Sequence, residues 1–342
     1  MSRLLCLLTL LTLFTGHALA QETGTVIVAN MSDNTVTLLD AATRQEIATL
    51  PSGPAPHEVS VSPSGEWAIV TNYGGRSGPG QSLSLINVRE AKVQATFDLG
   101  VYQRPHGVFF LPGDSVVAVT SEVMRTLVFI DIRTGEVVDT LSTLQRDSHM
   151  LASDRSGAHM FTTNVVDGTI TEFDGLARQR GRLLPVAAFV EGIALSPGGE
   201  RAWVGSNAKK AVYVVDVESG EIETTFEDFG FPYRMAVTPN GKYALLCDPS
   251  RSEIRVIDAR SLEHLVTIRI PADGAQPSAE FTGSAAPEGL VITPDSRYAY
   301  VSLQALNQVA AIDLESFEII GRFDTGVWPD GIGYSPVTVE MK

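Results

Sequence analysis

Three segments of the sequence begin with a histidine, continue as a short apolar strand and end in a turn: HEVSVSPSG (57–65), HGVFFLPGD (106–114) and HMLASDRSG (149–157). The chain has six histidines, and random placement would not put three of them at one position of a repeated segment. Neutral imidazole nitrogen is a good ligand for transition metals such as Zn, Fe and Cu. The three histidines therefore predict a metal site, provided that the fold brings them together.

The same segment recurs four more times without gaps, each time with a different first residue: EGIALSPGG (191–199), YRMAVTPNG (233–241), EGLVITPDS (288–296) and DGIGYSP (330–336). The seven starts lie 42 to 55 residues apart. A regular period of this length is typical of repeat architectures, in which every repeat is one small structural unit.

Each of the first six segments is followed by further short strands, such as WAIVTN (67–72), LSLINV (83–88) and IETTFED (222–228). No window carries a sustained helical period. Four short strands in each of seven repeats predict an all-β fold, a seven-bladed β-propeller of four-stranded blades.

The two ends of the chain predict how the ring is closed. The chain enters with TVIVAN (25–30) as part of a blade without a first strand, and it leaves with DGIGYSP (330–336), a first strand without a blade. The C-terminal strand would complete the N-terminal blade and remove an open sheet edge. We therefore expect residues 21–342 to form a single propeller domain.

The repeats resemble those of the YVTN-type β-propellers, whose name describes a stretch such as WAIVTN (67–72). The resemblance implies a lactonase-like or YncE-like seven-bladed propeller over nearly all of the chain after residue 20. It implies no single function, because related propellers include lactonase-like enzymes, domains of redox enzymes, surface proteins and binding proteins.

In a propeller, the first strand of each blade is innermost, so the first residues of the seven segments should meet at the mouth of the central channel. This ring consists of His57, His106, His149, Glu191, Tyr233, Glu288 and Asp330. We expect a divalent transition metal, Zn, Fe or Cu, on the three histidines with Glu191 and Asp330. Carboxylates that do not ligate would orient the imidazoles. The alternative is a polar, water-filled channel.

Other residues near the ring suggest a ligand and a reaction. An anionic small molecule could be held by Arg104, Arg146 and Arg234, with Tyr73 and Tyr233 beside it. Glu191 and Glu288 are candidates for a general base. If the protein is an enzyme, we expect a metal-dependent hydrolase or lactonase. The lactonase-like resemblance supports that class, although no catalytic residue of those enzymes can be placed on this chain.

Two non-hydrolytic functions remain open at this point. One is a non-catalytic periplasmic propeller that binds a small molecule or a partner protein. The other is an accessory protein of a periplasmic redox or cofactor system. The sequence has no CxxCH motif for haem attachment, and Cys247 alone cannot build a copper–thiolate cluster. We expect Cys247 to be a buried small apolar residue.

The first 20 residues, MSRLLCLLTLLTLFTGHALA, predict a Sec-type signal peptide and a periplasmic or secreted protein. Their apolar run is too short to span a membrane, and we expect no membrane insertion. Removal of this segment leaves one cysteine and hence no internal disulfide. The formal net charge of −15, without a basic cluster, argues against a nucleic-acid partner. We expect a monomer.

Three expectations concern the scaffold. Gly107, Gly192, Gly289 and Gly331 should allow close approach of strands near the axis. The insertions at 74–81 and 271–287 should be long loops on the histidine face. Short polar side chains that end the third strands should bond the turns that follow: Asp40, Asn87, Asp131, Asp174, Asp216, Asp258 and Asp313.

Overall fold

The computed structural model describes residues 23–276 and 281–340. The predicted signal peptide at 1–20 lies outside the described residues. Within them, no helix is both long and apolar enough to cross a bilayer. The one helical element found there is a short 3₁₀ helix at Gln304–Leu306.

The strands of the described residues form seven four-stranded antiparallel sheets, here called blades 1 to 7. Blade 1 contains β1 (Thr25–Asn30), β2 (Thr35–Asp40), β3 (Glu46–Pro51) and the last strand, β28 (Pro329–Ser335). Blade 2 contains β4 (Pro56–Val61), β5 (Trp67–Gly75), β6 (Gly78–Asn87) and β7 (Lys92–Asp98). Blade 3 contains β8 (Pro105–Phe110), β9 (Val116–Ser121), β10 (Thr126–Asp131) and β11 (Glu136–Ser142).

The remaining four blades follow the same order along the chain. Blade 4 contains β12 (Ser148–Ser153), β13 (Met160–Asn164), β14 (Thr169–Asp174) and β15 (Gln179–Pro185). Blade 5 contains β16 (Val190–Leu195), β17 (Arg201–Ser206), β18 (Ala211–Asp216) and β19 (Ile222–Phe226). Blade 6 contains β20 (Met235–Val237), β21 (Tyr243–Asp248), β22 (Glu253–Asp258) and β23 (His264–Arg269). Blade 7 contains β24 (Pro287–Ile292), β25 (Tyr298–Leu303), β26 (Gln308–Asp313) and β27 (Glu318–Asp324).

The apolar core lies between neighbouring blades. The middle strands are rich in Val, Ile and Ala and are buried on both faces, whereas outer strands such as β11 and β15 are largely exposed. One cluster joins Leu245 and Val256 of blade 6 to Val301 and Ile312 of blade 7. Because each sheet covers the faces of its neighbours, the ring as a whole buries strands that no single sheet could bury.

Blade 1 is closed as the sequence predicted. Its strand order is β28-β1-β2-β3, and β28 pairs antiparallel with β1, with Val28 opposite Ile332. The Thr25 hydroxyl donates to the carbonyl of Val337 at 2.8 Å, which fastens the chain just beyond β28. The C-terminal strand thus completes the N-terminal blade.

The roles predicted for the repeated Asp and Gly residues are confirmed. All seven polar residues that end the third strands accept backbone N–H bonds from the next turn, as at Asp40 and Asp258. A β-carbon at Gly192 would lie 1.8 Å from the carbonyl oxygen of Tyr233. At Gly289 and Gly331 it would lie 2.0 Å from a carbonyl oxygen of the adjacent blade. The innermost strands therefore pass too closely for any side chain at these positions.

The insertion at 74–81 is not a loop, as the sequence suggested, but an extension of the β5–β6 hairpin. Gly75 pairs with Gly78, and Arg76 and Ser77 form the tip. A β-carbon at Gly74 would lie 1.9 Å from the backbone nitrogen of Gly80. The glycines therefore allow β5 and β6 to approach each other closely, and they do not form a loop.

Candidate metal centre at the channel mouth

The predicted ring exists at one level of the propeller. His57, His106, His149, Glu191, Glu288 and Asp330 are each the second residue of the innermost strand of a blade. The seventh member, Tyr233, precedes the short strand β20, and its backbone N–H donates to the carbonyl of Cys247 at 3.1 Å. The backbone of all six strands therefore presents the ring side chains in the same register.

The three imidazoles lie side by side. The ring centroids of His57 and His106 are 4.3 Å apart, and those of His106 and His149 are 3.7 Å apart. Tyr73 packs edge-on against both His57 and His106, at 5.2 Å in each case. Three histidines from three consecutive blades thus form one contiguous cluster.

Carboxylates orient the two outer histidines. Nδ1 of His57 contacts Oδ2 of Asp330, and Nδ1 of His149 lies 2.6 Å from Oε1 of Glu122. Because an ionised carboxylate only accepts hydrogen bonds, the Nδ1 that faces it carries a proton. Nε2 would then be the ligand atom once a metal ion displaces the proton that Nε2 carries in the charged imidazole, as in many carboxylate–histidine–metal arrangements. Nε2 of His149 lies 3.4 Å from Oε1 of Glu191.

His106 lies between them and is fully buried, and neither of its ring nitrogens has a partner among the described residues. Burial, followed by the neighbouring His149, His57 and Arg234, holds the pKa of His106 well below its ordinary value. The ring is therefore neutral, which is the form that binds metals. Buried polar atoms without a partner are rare, and a bound ion would satisfy the ring nitrogen of His106 that carries no proton.

Two groups of side chains in the described part of the chain could each hold a metal ion. They are His57 with Glu58 and His106, and His106 with Glu122 and His149. In each group, one ligand atom of every residue lies within 4.8 Å of the others. Both groups share His106, and their imidazole and carboxylate donors suit Zn, Fe or Cu. Glu191 and Asp330, which the sequence placed among the ligands, lie beside the histidines but in neither group.

The sequence reading missed Glu58 and Glu122, although a signal for Glu122 was present. Glu122 directly follows Ser121, the residue that pairs with Pro105 at the start of the innermost strand. The same position in blades 2, 5 and 7 holds a side chain that also contacts the ring or its partners: Tyr73, Asn207 and Gln304. Asn207 donates to Glu191 and Gln304 donates to Glu288. The residues that follow the second strands of the blades form a second ring of positions. Comparison of these positions in the sequence would have revealed Glu122, Asn207 and Gln304.

Tyr73 and Arg104, predicted to bind substrate, form a hydrogen-bond chain to the histidines. Arg104 donates to the Tyr73 hydroxyl at 2.9 Å, and that hydroxyl donates to Oε2 of Glu122 at 2.7 Å. Burial and the nearby Glu122 raise the pKa of Tyr73, so the hydroxyl keeps its proton. Both oxygens of Glu122 are therefore occupied, one by Tyr73 and the other by His149.

The other two predicted arginines lie apart from each other. Arg146 is exposed and pairs with Asp167 at 2.6 Å, away from the ring. Arg234 is buried in the channel, where it pairs with Glu58 and lies over the ring of Tyr233 at 4.2 Å. The structure therefore brings Arg234 to the ring but not Arg146.

A cavity of about 1050 Å³ opens onto the ring. Its wall contains the ring residues His57, Glu191, Tyr233, Glu288 and Asp330. Tyr73, Phe231, Trp328 and the hairpin tip at Arg76 complete it. The cavity places ring side chains within reach of a small molecule.

Comparisons with known proteins support the architecture. No family model matches the sequence. The uncharacterized protein YncE of Salmonella typhimurium and that of Salmonella typhi are each 24% identical over 176 residues, which is 50% of this chain. The match spans 44% of the length of these curated relatives. A functionally unknown protein from Desulfotomaculum acetoxidans has a similar structure, with a TM-score of 0.76 and 12% identity, covering 93% of this chain and all of that one. Together with the seven blades, these similarities fit a YncE-like propeller.

Proposed function

We propose that this protein is an exported β-propeller that binds a divalent transition metal at the channel mouth through His57, His106 and His149. The observation that carries the proposal is the buried, unpartnered imidazole of His106 between two histidines oriented by carboxylates. Glu58 and Glu122 are the carboxylates in the two groups of side chains that could hold the ion.

The charge of the cluster supports a cation. Five carboxylates lie at or beside the ring, those of Glu58, Glu122, Glu191, Glu288 and Asp330. Among the described residues, the buried arginine is Arg234, which pairs with Glu58. Burial lowers the pKa of His149, but Glu122 and Glu191 outweigh it and raise this pKa to about 9. The carboxylates thus attract positive charge to the imidazoles, as a proton or as a metal ion.

The chemistry we propose is metal-assisted hydrolysis of a small molecule, including lactone opening. A bound ion would polarise a carbonyl group or lower the pKa of a bound water. Glu191 lies on the cavity wall, and the proton of His149 and the amide of Asn207 help to keep its pKa below its ordinary value against the effect of burial. It is therefore ionised and can accept a proton as a general base. Glu288, on the same wall, is the second candidate for this role.

The direct test is metal content. We expect the purified protein, titrated with Zn²⁺, Fe²⁺ and Cu²⁺ and then desalted, to retain about one ion per chain by elemental analysis. His106→Ala should retain none. His264→Ala is the matched control, because His264 is exposed on the outer strand β23, where its ring hydrogen-bonds to Thr267. Absence of metal in the wild-type protein under all three titrations would reject the proposal.

The proposed hydrolytic activity is tested separately from metal binding. We expect the metal-loaded protein to open small lactones and Glu191→Gln to lose this activity while keeping its metal. A metal-loaded protein that leaves a panel of lactones and esters intact would restrict the function to binding.

A second candidate function is binding of a partner protein on the same face. Exposed apolar side chains stand on the loops of three consecutive blades there: Val101, Val123, Met124, Leu144, Val166 and Phe189. Such residues favour contact with another protein, for example a periplasmic carrier of a redox system. We expect Phe189→Ser to weaken cross-linking to such a partner, and Leu265→Ser on the outer strand β23 to leave it unchanged.

A further inference from the structure

We propose that the cavity above the ring binds a protonated primary amine with an apolar body, and that its ammonium group rests on the carboxylate side of the ring. This ligand is separate from the metal and does not depend on it. The ring is divided into two halves: His57, His106 and His149 occupy one half, whereas Glu191, Glu288 and Asp330 belong to the other.

Asp330 provides the main contact. Its side chain is 1% exposed and lines the cavity. Oδ2 contacts His57, whereas Oδ1 has no hydrogen-bond partner among the described residues. A buried carboxylate oxygen without a donor is costly, and the cavity is the side from which a donor can come. An ammonium N–H supplies both the donor and the opposite charge.

Glu191 and Glu288 extend the acidic wall. Each accepts a hydrogen bond from a neutral amide, Asn207 in the first case and Gln304 at 2.5 Å in the second. Glu191 also lies 3.4 Å from Nε2 of His149, so Glu191 faces both the histidines and the cavity. The arginine that lines the cavity, Arg76, is exposed at the hairpin tip. The wall around Asp330 therefore favours a cation.

Aromatic side chains provide the place for the apolar body. Phe231, Tyr233 and Trp328 line the cavity. Phe231 is held in place by edge contacts with Phe281 at 5.2 Å. Aromatic faces beside carboxylates attract organic cations, and a volume of about 1050 Å³ accommodates a small organic molecule rather than a bare ion.

This inference reverses the anionic ligand expected from the sequence. That expectation depended on arginines near the ring. Arg104 hydrogen-bonds to Tyr73, Arg146 forms an ion pair with Asp167, and Arg234 forms an ion pair with Glu58. The cavity wall contains the carboxylates of Glu191, Glu288 and Asp330, whereas its arginine, Arg76, is at the hairpin tip.

The test is calorimetric titration of the chelator-treated protein with phenethylamine, 2-phenylethanol and 3-phenylpropionate. We expect binding of the amine, with the alcohol and the acid at least tenfold weaker. Phenyltrimethylammonium, which has no N–H, should also bind at least tenfold more weakly than the amine. Equal binding of amine and alcohol, or preference for the acid, would overturn the proposal.

Variants separate this site from the metal centre. Asp330→Asn and Glu288→Gln should each weaken amine binding at least tenfold, and the second does not disturb the contact with His57. Asp324→Asn, in an exposed pair with Gln308, is the matched control. His106→Ala should lose metal and keep amine binding. If Asp330→Asn and Glu288→Gln both bind the amine as tightly as the wild type does, the amine site is refuted, even if metal binds as proposed.

Discussion

The three histidines differ in charge although their positions are equivalent. His57 and His149 each have a carboxylate on Nδ1, and their pKa values are raised. His106, 3.7 Å from one ring and 4.3 Å from the other, has none and stays neutral. Two charged imidazoles flanking a neutral one avoid direct repulsion between neighbours. The central histidine is therefore the one already prepared to ligate.

Glu122 should matter for metal binding through the histidine that it orients, His149. Glu122→Gln removes the charge that holds the proton on Nδ1 of His149 and the acceptor used by Tyr73. We expect metal affinity to fall by about 10- to 100-fold, as is usual when a partner of a metal-binding histidine is lost. Isothermal titration calorimetry measures this. Glu136→Gln on the exposed strand β11 should bind as the wild type does, and an equal loss in both variants would contradict the assignment.

Cys247 should be inert in the folded protein. It is fully buried between blades 6 and 7, and burial raises the pKa of its thiol. We expect iodoacetamide at pH 8 to leave Cys247 unmodified in the native protein and to label it completely in guanidinium chloride. Peptide mass spectrometry distinguishes the two states. Rapid native labelling would show that blades 6 and 7 separate readily.

The sequence could predict the ring residues but not the contacts between them. A repeat fixes which side chains share a level, so His57, His106 and His149 were found together. It does not fix which neighbour each one touches, because rotamers and the gap between blades decide that. Glu58 follows His57 in the strand and yet belongs to the same cluster, because its carboxylate lies within 4.8 Å of a ring nitrogen of both His57 and His106.

At the scale of the strand, the recurring glycines allow the innermost strands to approach each other. A β-carbon at Gly192 would overlap the carbonyl oxygen of Tyr233 in the next blade. Gly192→Ala should therefore lower the free energy of unfolding by about 1–3 kcal/mol, the usual cost of overpacking. Urea denaturation measures the loss.

Gly75→Ala is the matched control for this change. Nothing lies within 4 Å of a β-carbon at Gly75, and its backbone angle suits any residue. We expect its unfolding midpoint to match that of the wild type. A Gly192→Ala protein as stable as this control would mean that the blades can move apart at no cost.

Strand-level prediction failed at the β5–β6 hairpin. The sequence 74–81 has four glycines and a proline, which normally indicate a loop. Here Gly74 and Gly80 instead let two strands cross closely, and pairing continues to Gly75 and Gly78. A glycine-rich composition shows that side chains are absent from a segment. It does not show whether the glycines are needed for flexibility or for close contact between strands.

At the scale of the whole molecule, the incomplete blade at each end predicted the closure of the ring, and the structure confirms it. This was possible because the repeats are numerous and nearly regular. β28 covers the inner edge of β1, which would otherwise be an open template for pairing.

Deletion of residues 329–342 should therefore open the ring. We expect loss of a single cooperative unfolding transition and the appearance of dimers or larger species in size-exclusion chromatography. A circular permutant with joined termini and new ends at the turn Gly198–Gly199 keeps β28 beside β1, and it should stay monomeric. A monomeric, cooperatively folding truncation would show that β28 is dispensable.

The pairing of β28 with β1 also affects when blade 1 can fold during synthesis. Proteins are synthesised from the N-terminus, and early segments tend to fold first. Here β1 must wait until the other six blades have been made, since its inner neighbour β28 follows all of them in the chain. A chain that stops early keeps an exposed strand edge, by which proteases and chaperones can recognise it. Closure of the ring can thus occur only after all seven blades have been synthesised.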